Sequence, residues 1–407
     1  MRYSYLMQIT TKKVIFGLFI AFIFRFFLSL TIYNGDVNNH IMWMESVHSE
    51  GWQGLYERDL SPWAQVNYPP LSLYSFAVAE GIYRALPESL ATSAVRGALY
   101  KIPSLFADCL IAFLIWRFTP FGAKVKIVTM LAFLFNPALM INSVFWGQIE
   151  SVSAFTGIAM LIALVKKRGD LAIIAFTLGV LTKQNILPLA PLLLVGVYQT
   201  RISLEKLFKS MIISIGLVIF AYLPMIPEDV GSISYIVQTY LSSIGGQSHQ
   251  HLTTVNALNY WYSLGLNNVR DAVVRPFSLG IIALGLGISL YRFKQLIHRP
   301  YVAYLVAAVL ISIWTFTFAT RMHERHAYMA IAYLTLLLPY GRIKWIYLGI
   351  SLISFYNTYA VWMEYFAVSP GVGWERVMIA CSALFTLITI SLAIFPLELL
   401  HQDRIKS

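Results

Sequence analysis

The chain has 407 residues, 58% of them hydrophobic and 12% charged, with a mean hydropathy of +0.67. This composition excludes an ordinary soluble domain and a disordered chain, and it indicates a polytopic membrane protein. The formal net charge of +11 is a candidate nucleic-acid signal, but its distribution follows membrane orientation instead, and no nucleic-acid partner is expected.

Backbone groups in lipid must be satisfied internally, so the apolar stretches are predicted as helices. Twelve are placed near 14–33, 102–116, 127–145, 149–165, 171–187, 188–199, 210–225, 276–291, 301–318, 327–340, 345–363 and 377–396. The first is about as long as a bilayer span and lacks a small-x-small cleavage site, so it is read as a retained helix. Residues 34–100 follow as a long outer segment with seven carboxylates. Within it, Tyr68-Pro69-Pro70-Leu71 leads into an apolar run to Leu86. We read that run as a helix lying at the outer interface, with Glu80 and Arg84 on its wet face. Residues 171–199 read as two short helices, interrupted by Pro188 and Pro191. A second outer loop, 226–275, carries Gly245-Gly246-Gln247-Ser248-His249-Gln250-His251 and Val255-Asn256-Ala257-Leu258-Asn259-Tyr260-Trp261.

The basic residues test this topology, because Lys and Arg favour the cytosolic side of short loops. The segments placed inside carry nineteen of the thirty, including Arg117, Lys124, Lys126, Lys166, Lys167 and Arg168, and the outer ones nine. Thirteen of the nineteen acids fall outside. Both termini are therefore expected in the cytosol. The whole chain is read as one integral membrane domain: a core over 14–225 with the outer loop 34–100, the second loop 226–275, and C-terminal helices over 276–407. The two cysteines, Cys109 and Cys381, lie in apolar stretches and indicate neither a disulfide nor a thiolate metal site.

Carboxylate, imidazole and guanidinium groups gather on the outer face, where the active site is placed. Asp36 follows the first helix and can deprotonate an attacking hydroxyl; the plain alternative is a solvated loop acid. Arg321-Met322-His323-Glu324-Arg325-His326 offers donors and positive charge for a phosphate. It also reads as a helix connector, or as a metal site through His323 and His326, although those two are not spaced as in a metalloprotease helix. Lys183 falls within a helix and needs a polar interior or an acid partner, such as Asp108 or Glu150. Trp146-Gly147-Gln148-Ile149-Glu150 turns between two helices, and its Trp also fits an interfacial anchor. The outer aromatics Trp43, Trp52, Trp63, Tyr68, Trp261 and Tyr262 suit sugar stacking or an interfacial belt.

Together these motifs resemble the GT-C superfamily of polyprenyl-phosphate-sugar-dependent glycosyltransferases. The resemblance is to bacterial proteins related to the second mannosyltransferase of GPI-anchor assembly and to the dolichyl-phosphate-glucose glucosyltransferases. It rests on Gly35-Asp36, on Tyr68-Pro69-Pro70-Leu71, and on Lys101 and Asp108 seven apart at the start of the second helix. It rests also on the turn from Asn136-Pro137 to Ser151-Val152, on Lys183-Gln184, and on His323-Glu324-Arg325. The loop 226–275 matches only loosely. The resemblance implies a GT-C-like bundle with interfacial helices in the first outer loop. It implies transfer of a hexose, mannose or glucose-like, from a polyprenyl phosphate to a glycan, lipid or protein acceptor. Asp36 would be the base, and His323, Arg325, Arg321 and Lys183 would hold the donor phosphate. Glu324, Lys101, Asp108, Tyr68, Gln148 and Glu150 would support them. No cofactor and no metal are expected, and a bacterial plasma membrane is the expected location. The alternatives are a secondary transporter or lipid flippase, and an outer-face glycan ligase or polymerase.

Overall fold

The computed structural model describes residues 2–30, 35–61, 64–245, 251–267, 269–364 and 374–395. Trp63, His249 with its neighbours 246–250, and the C-terminal Arg404 and Lys406 lie outside the described residues. The described chain is helical throughout, with only isolated bridges and no strand.

The helices run α1 (Arg2–Ser29), α2 (Gly35–Glu50), α3 (Pro70–Arg84), α4 (Ser93–Phe118), α5 (Ala123–Leu134), α6 (Pro137–Met140), α7 (Glu150–Val165), α8 (Gly169–Val180) and α9 (Ala190–Thr200). They continue α10 (Leu204–Tyr222), α11 (Ser232–Gly245), α12 (Tyr260–Ser263), α13 (Arg275–Leu296), α14 (Pro300–Phe318), α15 (Tyr328–Thr335), α16 (Ile343–Glu364) and α17 (Trp374–Ile394). Every one of the twelve apolar segments contains a helix. Five of these helices are long and apolar enough to cross a membrane, and a sixth span forms if the pair Ala123–Leu134 and Pro137–Trp146, bent by 47°, counts as one. The bend has a local cause. Pro137 cannot continue a helix, and Asn136 caps the restart by accepting from Ala138 N at 2.9 Å.

Helix α14 sits at the centre, buried on nearly all sides against α7, α13 and α15. Its Trp314 lies against α13 at Gly285, where any β-carbon would fall 2.0 Å from the indole. By contrast α10 and α13 turn Met211, Ile212, Phe220, Phe277, Leu279 and Leu284 outward. Contiguous exposed apolar faces of this size are stable only against lipid. The protein is an integral membrane protein.

The structure corrects four expectations. The helix placed at 102–116 begins at Ser93, because the Thr92 side chain accepts from Val95 N and caps it there. Lys101 and Asp108 thus lie in mid-helix, not at its start. Glu80 does not face water. It is 4% exposed and bonds Arg84, Arg96 and Tyr100, which pins α3 to α4. Lys183 is not in a helix: α8 ends at Val180, and Lys183 is extended before a short 3-10 turn at Gln184–Leu189. The carbonyls freed by that break are taken by the outer loop, with Leu71 N donating to Leu181 O at 3.0 Å and Ser72 Oγ to Thr182 O at 2.6 Å. Helix ends need such outside partners, and here Tyr68-Pro69-Pro70-Leu71 brings them.

Candidate active site

Asp36 stands in the first turn of α2, where a carboxylate is favoured by the helix dipole. A six-residue π-helical turn, Ile141–Trp146, delivers two donors to it. Trp146 Nε1 and Gln148 Nε2 each donate to Asp36 Oδ2 at 2.5 Å. Gly147 between them has φ +81, and a β-carbon there would meet Val37 at 2.7 Å and Lys101 at 3.1 Å. Only glycine lets the turn approach α2 and α4 so closely. Burial pushes the Asp36 carboxyl up, but the Arg325 charge, the Trp146 hydrogen bond and Lys183 outweigh it and hold the group below its ordinary value. Asp36 is a carboxylate at neutral pH.

The other end of the Gln148 amide faces a cation. Gln148 Oε1 accepts from Tyr68 Oη at 2.9 Å and from Lys183 Nζ at 3.2 Å. Lys183 also donates to Tyr68 Oη at 3.1 Å and pairs with Glu150 Oε1 at 2.5 Å. Of the two acids proposed as its partner, Glu150 is the one. Arg325 Nη1 pairs with Glu324 Oε1 at 2.7 Å, its Nε lies 3.9 Å from Glu150, and its guanidinium stands 5.9 Å from the Trp146 ring centre. Glu150 Oε2 and Arg325 Nε are buried without a hydrogen-bond partner. Such atoms are rare in a native interior. Burial raises the Glu324 carboxyl, against the pull of Arg325.

His40, one turn after Asp36, is stacked on Phe76 at 4.2 Å. Burial, reinforced by Lys183 and Arg325, pushes it down to about 3 against Asp36, so it is neutral. Burial with Arg325 also holds His326 well below its usual value. His326 Nδ1 accepts from His323 N at 3.2 Å, which orders the 3-10 turn Glu324–Ala327 that presents Arg325. The loop 226–275 straps the same segment, with Arg321 N donating to Leu252 O at 3.1 Å and Val255 N to Met322 O at 2.9 Å.

A cavity of about 400 Å³ opens beside this cluster. Four cations line it, Lys183, Arg275, Arg321 and Arg325, with His323 and His326, and among the described residues no carboxylate does. Its remaining walls include Leu187, Pro188, Leu279, Ile282, Phe316 and Met329. It is cationic at one part and apolar along another. Arg321 pairs with Asp271 at 2.7 Å. The Asn185 amide also lines the cavity, with both its oxygen and its nitrogen unpartnered.

The structure therefore brings together Asp36, Tyr68, Gln148, Glu150, Lys183, Glu324 and Arg325, with His323 and Arg321 on the cavity wall. It sets Lys101 and Asp108 apart. Lys101 is buried behind Gly147 and donates to Ser29 O at 3.1 Å. Asp108 is held inside the bundle by Arg25, Ser143 and Tyr328. Trp43 and Trp261 are packed in the interior and donate to backbone carbonyls at 2.6 and 2.8 Å, so neither offers an open face for a sugar. Arg275 and Asn185 were not singled out by sequence reasoning. Arg275 is one of the few charged residues of the loop 226–275, which is a usable signal; Asn185 carried none. Among the described residues no three His, Cys, Asp or Glu side chains gather as a metal site would require.

Fold and site define an all-α polytopic membrane protein. The structure is similar to that of ArnT from Cupriavidus metallidurans, solved bound to undecaprenyl phosphate. The TM-score is 0.50 and the identity 12%, covering 94% of this chain and 77% of that one. No protein-family model matches the sequence, and no curated protein matches it.

Proposed function

We propose that the protein is a membrane glycosyltransferase that moves a hexose from a polyprenyl phosphate to a hydroxyl acceptor at the extracytoplasmic face. The observation that carries this reading is the Gln148 side chain. One end of its amide bonds the Asp36 carboxylate and the other bonds Lys183 on the cation-lined cavity. A base and an anion site are thus one side chain apart. The donor's phosphate would lie among Lys183, Arg325, Arg275, Arg321 and His323, with its chain along Leu279, Ile282 and Phe316. The undecaprenyl phosphate found with ArnT is a ligand of this shape and charge. Asp36 would take the acceptor proton as its oxygen attacks the anomeric carbon, the lipid phosphate leaving from the opposite side with inversion. Arg325 and Lys183 would stabilise the charge that develops on that phosphate. Asn185 would bond a sugar hydroxyl. Mannose or glucose-like sugars, a glycan, lipid or protein acceptor, a bacterial plasma membrane and cytosolic termini complete the reading. No metal is assigned a role.

Incubating the purified protein with a panel of polyprenyl phosphate sugars, with and without candidate acceptors, tests it. Release of free polyprenyl phosphate coupled to a new glycoside is expected. No cleavage of any monophosphate donor, with cleavage of a diphosphate-linked glycan, points to the ligase reading. A transporter or flippase moves the lipid with its sugar bond intact. The buried Arg25–Asp108 pair is the feature that favours such a protein, since charge at membrane depth often lines a pathway.

A further inference from the structure

A second cavity, of about 170 Å³, lies at the other end of the bundle. Three helices fix its position relative to the first site. Helix α7 begins at Glu150 in the site and ends at Val165 and Lys166 in this cavity. Helix α14 begins here with Tyr301 and ends at Phe316 and Ala319 in the first cavity. Helix α4 passes Ser104, which bonds Gln148 O, and ends here at Phe118. At 1.5 Å per residue, the α14 residues that line the two cavities, Tyr301 to Leu305 and Ser312 to Ala319, are centred roughly 18 Å apart, more than half of a bilayer's hydrocarbon thickness. The two cavities therefore lie toward opposite ends of the bundle.

The slot is walled by Phe118, Ile158, Leu161, Ile162, Tyr304 and Leu305. Apolar cavities of about this size stay dry and take apolar guests. Its rim is different. Lys166 lines it; Arg117 stacks 5.5 Å from the centre of the wall residue Phe118; Arg299, two residues before Tyr301, stacks on Tyr340 at 5.6 Å. Among the described residues no carboxylate lines the slot, and Asp170, four residues after Lys166, is taken by Arg168 at 2.8 Å. Tyr301 also lines it, and its hydroxyl is buried with no hydrogen-bond partner. A buried hydroxyl without a partner is costly, and an ester or phosphate oxygen of a bound amphiphile would satisfy it.

We infer that this slot binds one chain of an anionic phospholipid, whose headgroup is held by Lys166, Arg117 and Arg299 and accepts a hydrogen bond from Tyr301. A zwitterionic lipid would fill the apolar part equally well, because lipid chains gain little by leaving lipid. Selectivity must then come from the headgroup contacts. Loss of one cation near an anionic headgroup corresponds to roughly a fivefold change in binding.

The test uses the full chain in detergent, titrated with phosphatidylglycerol or phosphatidylcholine and read by native mass spectrometry. One phosphatidylglycerol is expected to stay bound in preference to phosphatidylcholine. Lys166→Gln and Tyr301→Phe should each weaken it several-fold, and Leu161→Trp, which fills the slot, should abolish it. Lys166→Gln sits at the rim and leaves the interior intact, so it decides the matter if Leu161→Trp does not fold. Equal retention of the two lipids, unchanged binding in both Lys166→Gln and Tyr301→Phe, or displacement of phosphatidylglycerol by undecaprenyl phosphate at equal concentration overturns the assignment.

Discussion

Two buried charge clusters, one helix apart, differ in what they leave open. In the bundle interior Arg25 meets Asp108, whose two oxygens are also taken by Ser143 and Tyr328, while Arg25 donates again to Leu134 O. Neither Arg25 nor Asp108 lines the large cavity. In the other cluster Gln148 links Asp36 to Lys183, Lys183 pairs with Glu150, and Arg325 pairs with Glu324 and lies 3.9 Å from Glu150, yet Lys183 and Arg325 line that cavity. The first cluster lines no part of that cavity and holds α1, α4, the π-helical turn and α15 together, although Arg25 Nε is itself buried without a hydrogen-bond partner. The second presents Lys183 and Arg325 to the cavity. Buried charge alone marks neither structure nor chemistry; access to a cavity separates the two.

Substitutions in the two clusters should therefore fail in different ways. The largest effect is expected from Asp36→Asn, which keeps the size and the hydrogen-bonding oxygen but loses the base. Sugar transfer should fall by at least about two orders of magnitude, while thermal stability and donor binding stay near wild type. Transfer at an appreciable fraction of the wild-type rate would remove Asp36 from the base role. Asp108→Ala should do the reverse. It strands Arg25 in the interior, for a loss of about 3–5 kcal/mol of stability, read as a lower unfolding temperature in detergent. A stable Asp108→Ala protein with abolished transfer would erase the contrast between the clusters.

Arg325→Ala and Arg275→Ala come next. Each removes a charge-assisted contact of about 1.5–3 kcal/mol, or about tenfold to hundredfold in donor use. Unchanged donor affinity and turnover in both would move the phosphate elsewhere. Arg325→Ala carries a second, smaller signature in pH. The folded Asp36 carboxyl titrates below its ordinary 3.8, so its charge persists below that value, while the stability tied to the shift is full above 3.8 and is lost as pH falls from there through the depressed folded value. Burial alone would raise it, and Arg325 is the first counterweight. Removing Arg325 should shift the acid limb of the transfer profile to higher pH; an unmoved limb would detach the two groups. The smallest effect is expected from Asp59→Asn, an exposed acid of the same outer segment, with stability inside about 0.5 kcal/mol and activity near wild type. Sidedness is checked separately by impermeant labelling of a single cysteine at position 124 after replacement of Cys109 and Cys381. Labelling from outside would invert the proposed orientation.

Much of the architecture was written locally. Lipid solvates no backbone, so the twelve apolar segments had to be helical, and Pro188 and Pro191 marked an interruption of 171–199; the bend at Pro137, inside a stretch read as one helix, came from the structure. Asp36, Lys183, His323 and Arg325 stood out because charged residues beside long apolar runs are costly and therefore few. Pairing was not legible in the same way. Nothing local to Lys183 distinguishes Glu150 from Asp108, and nothing local to Glu80 announces Arg96 and Tyr100. Nor does a loop reading of residue 36 predict a helix that carries Asp36 into the interior beside Trp146. Hydropathy and helix breaks are properties of neighbouring residues, so the sequence alone determined the membrane-spanning, all-helical architecture. Which acid neutralises which cation, and which cations remain turned toward a cavity, depends on groups tens to hundreds of residues apart; only the packing of α4, α7, α14 and the π-helical turn decided that.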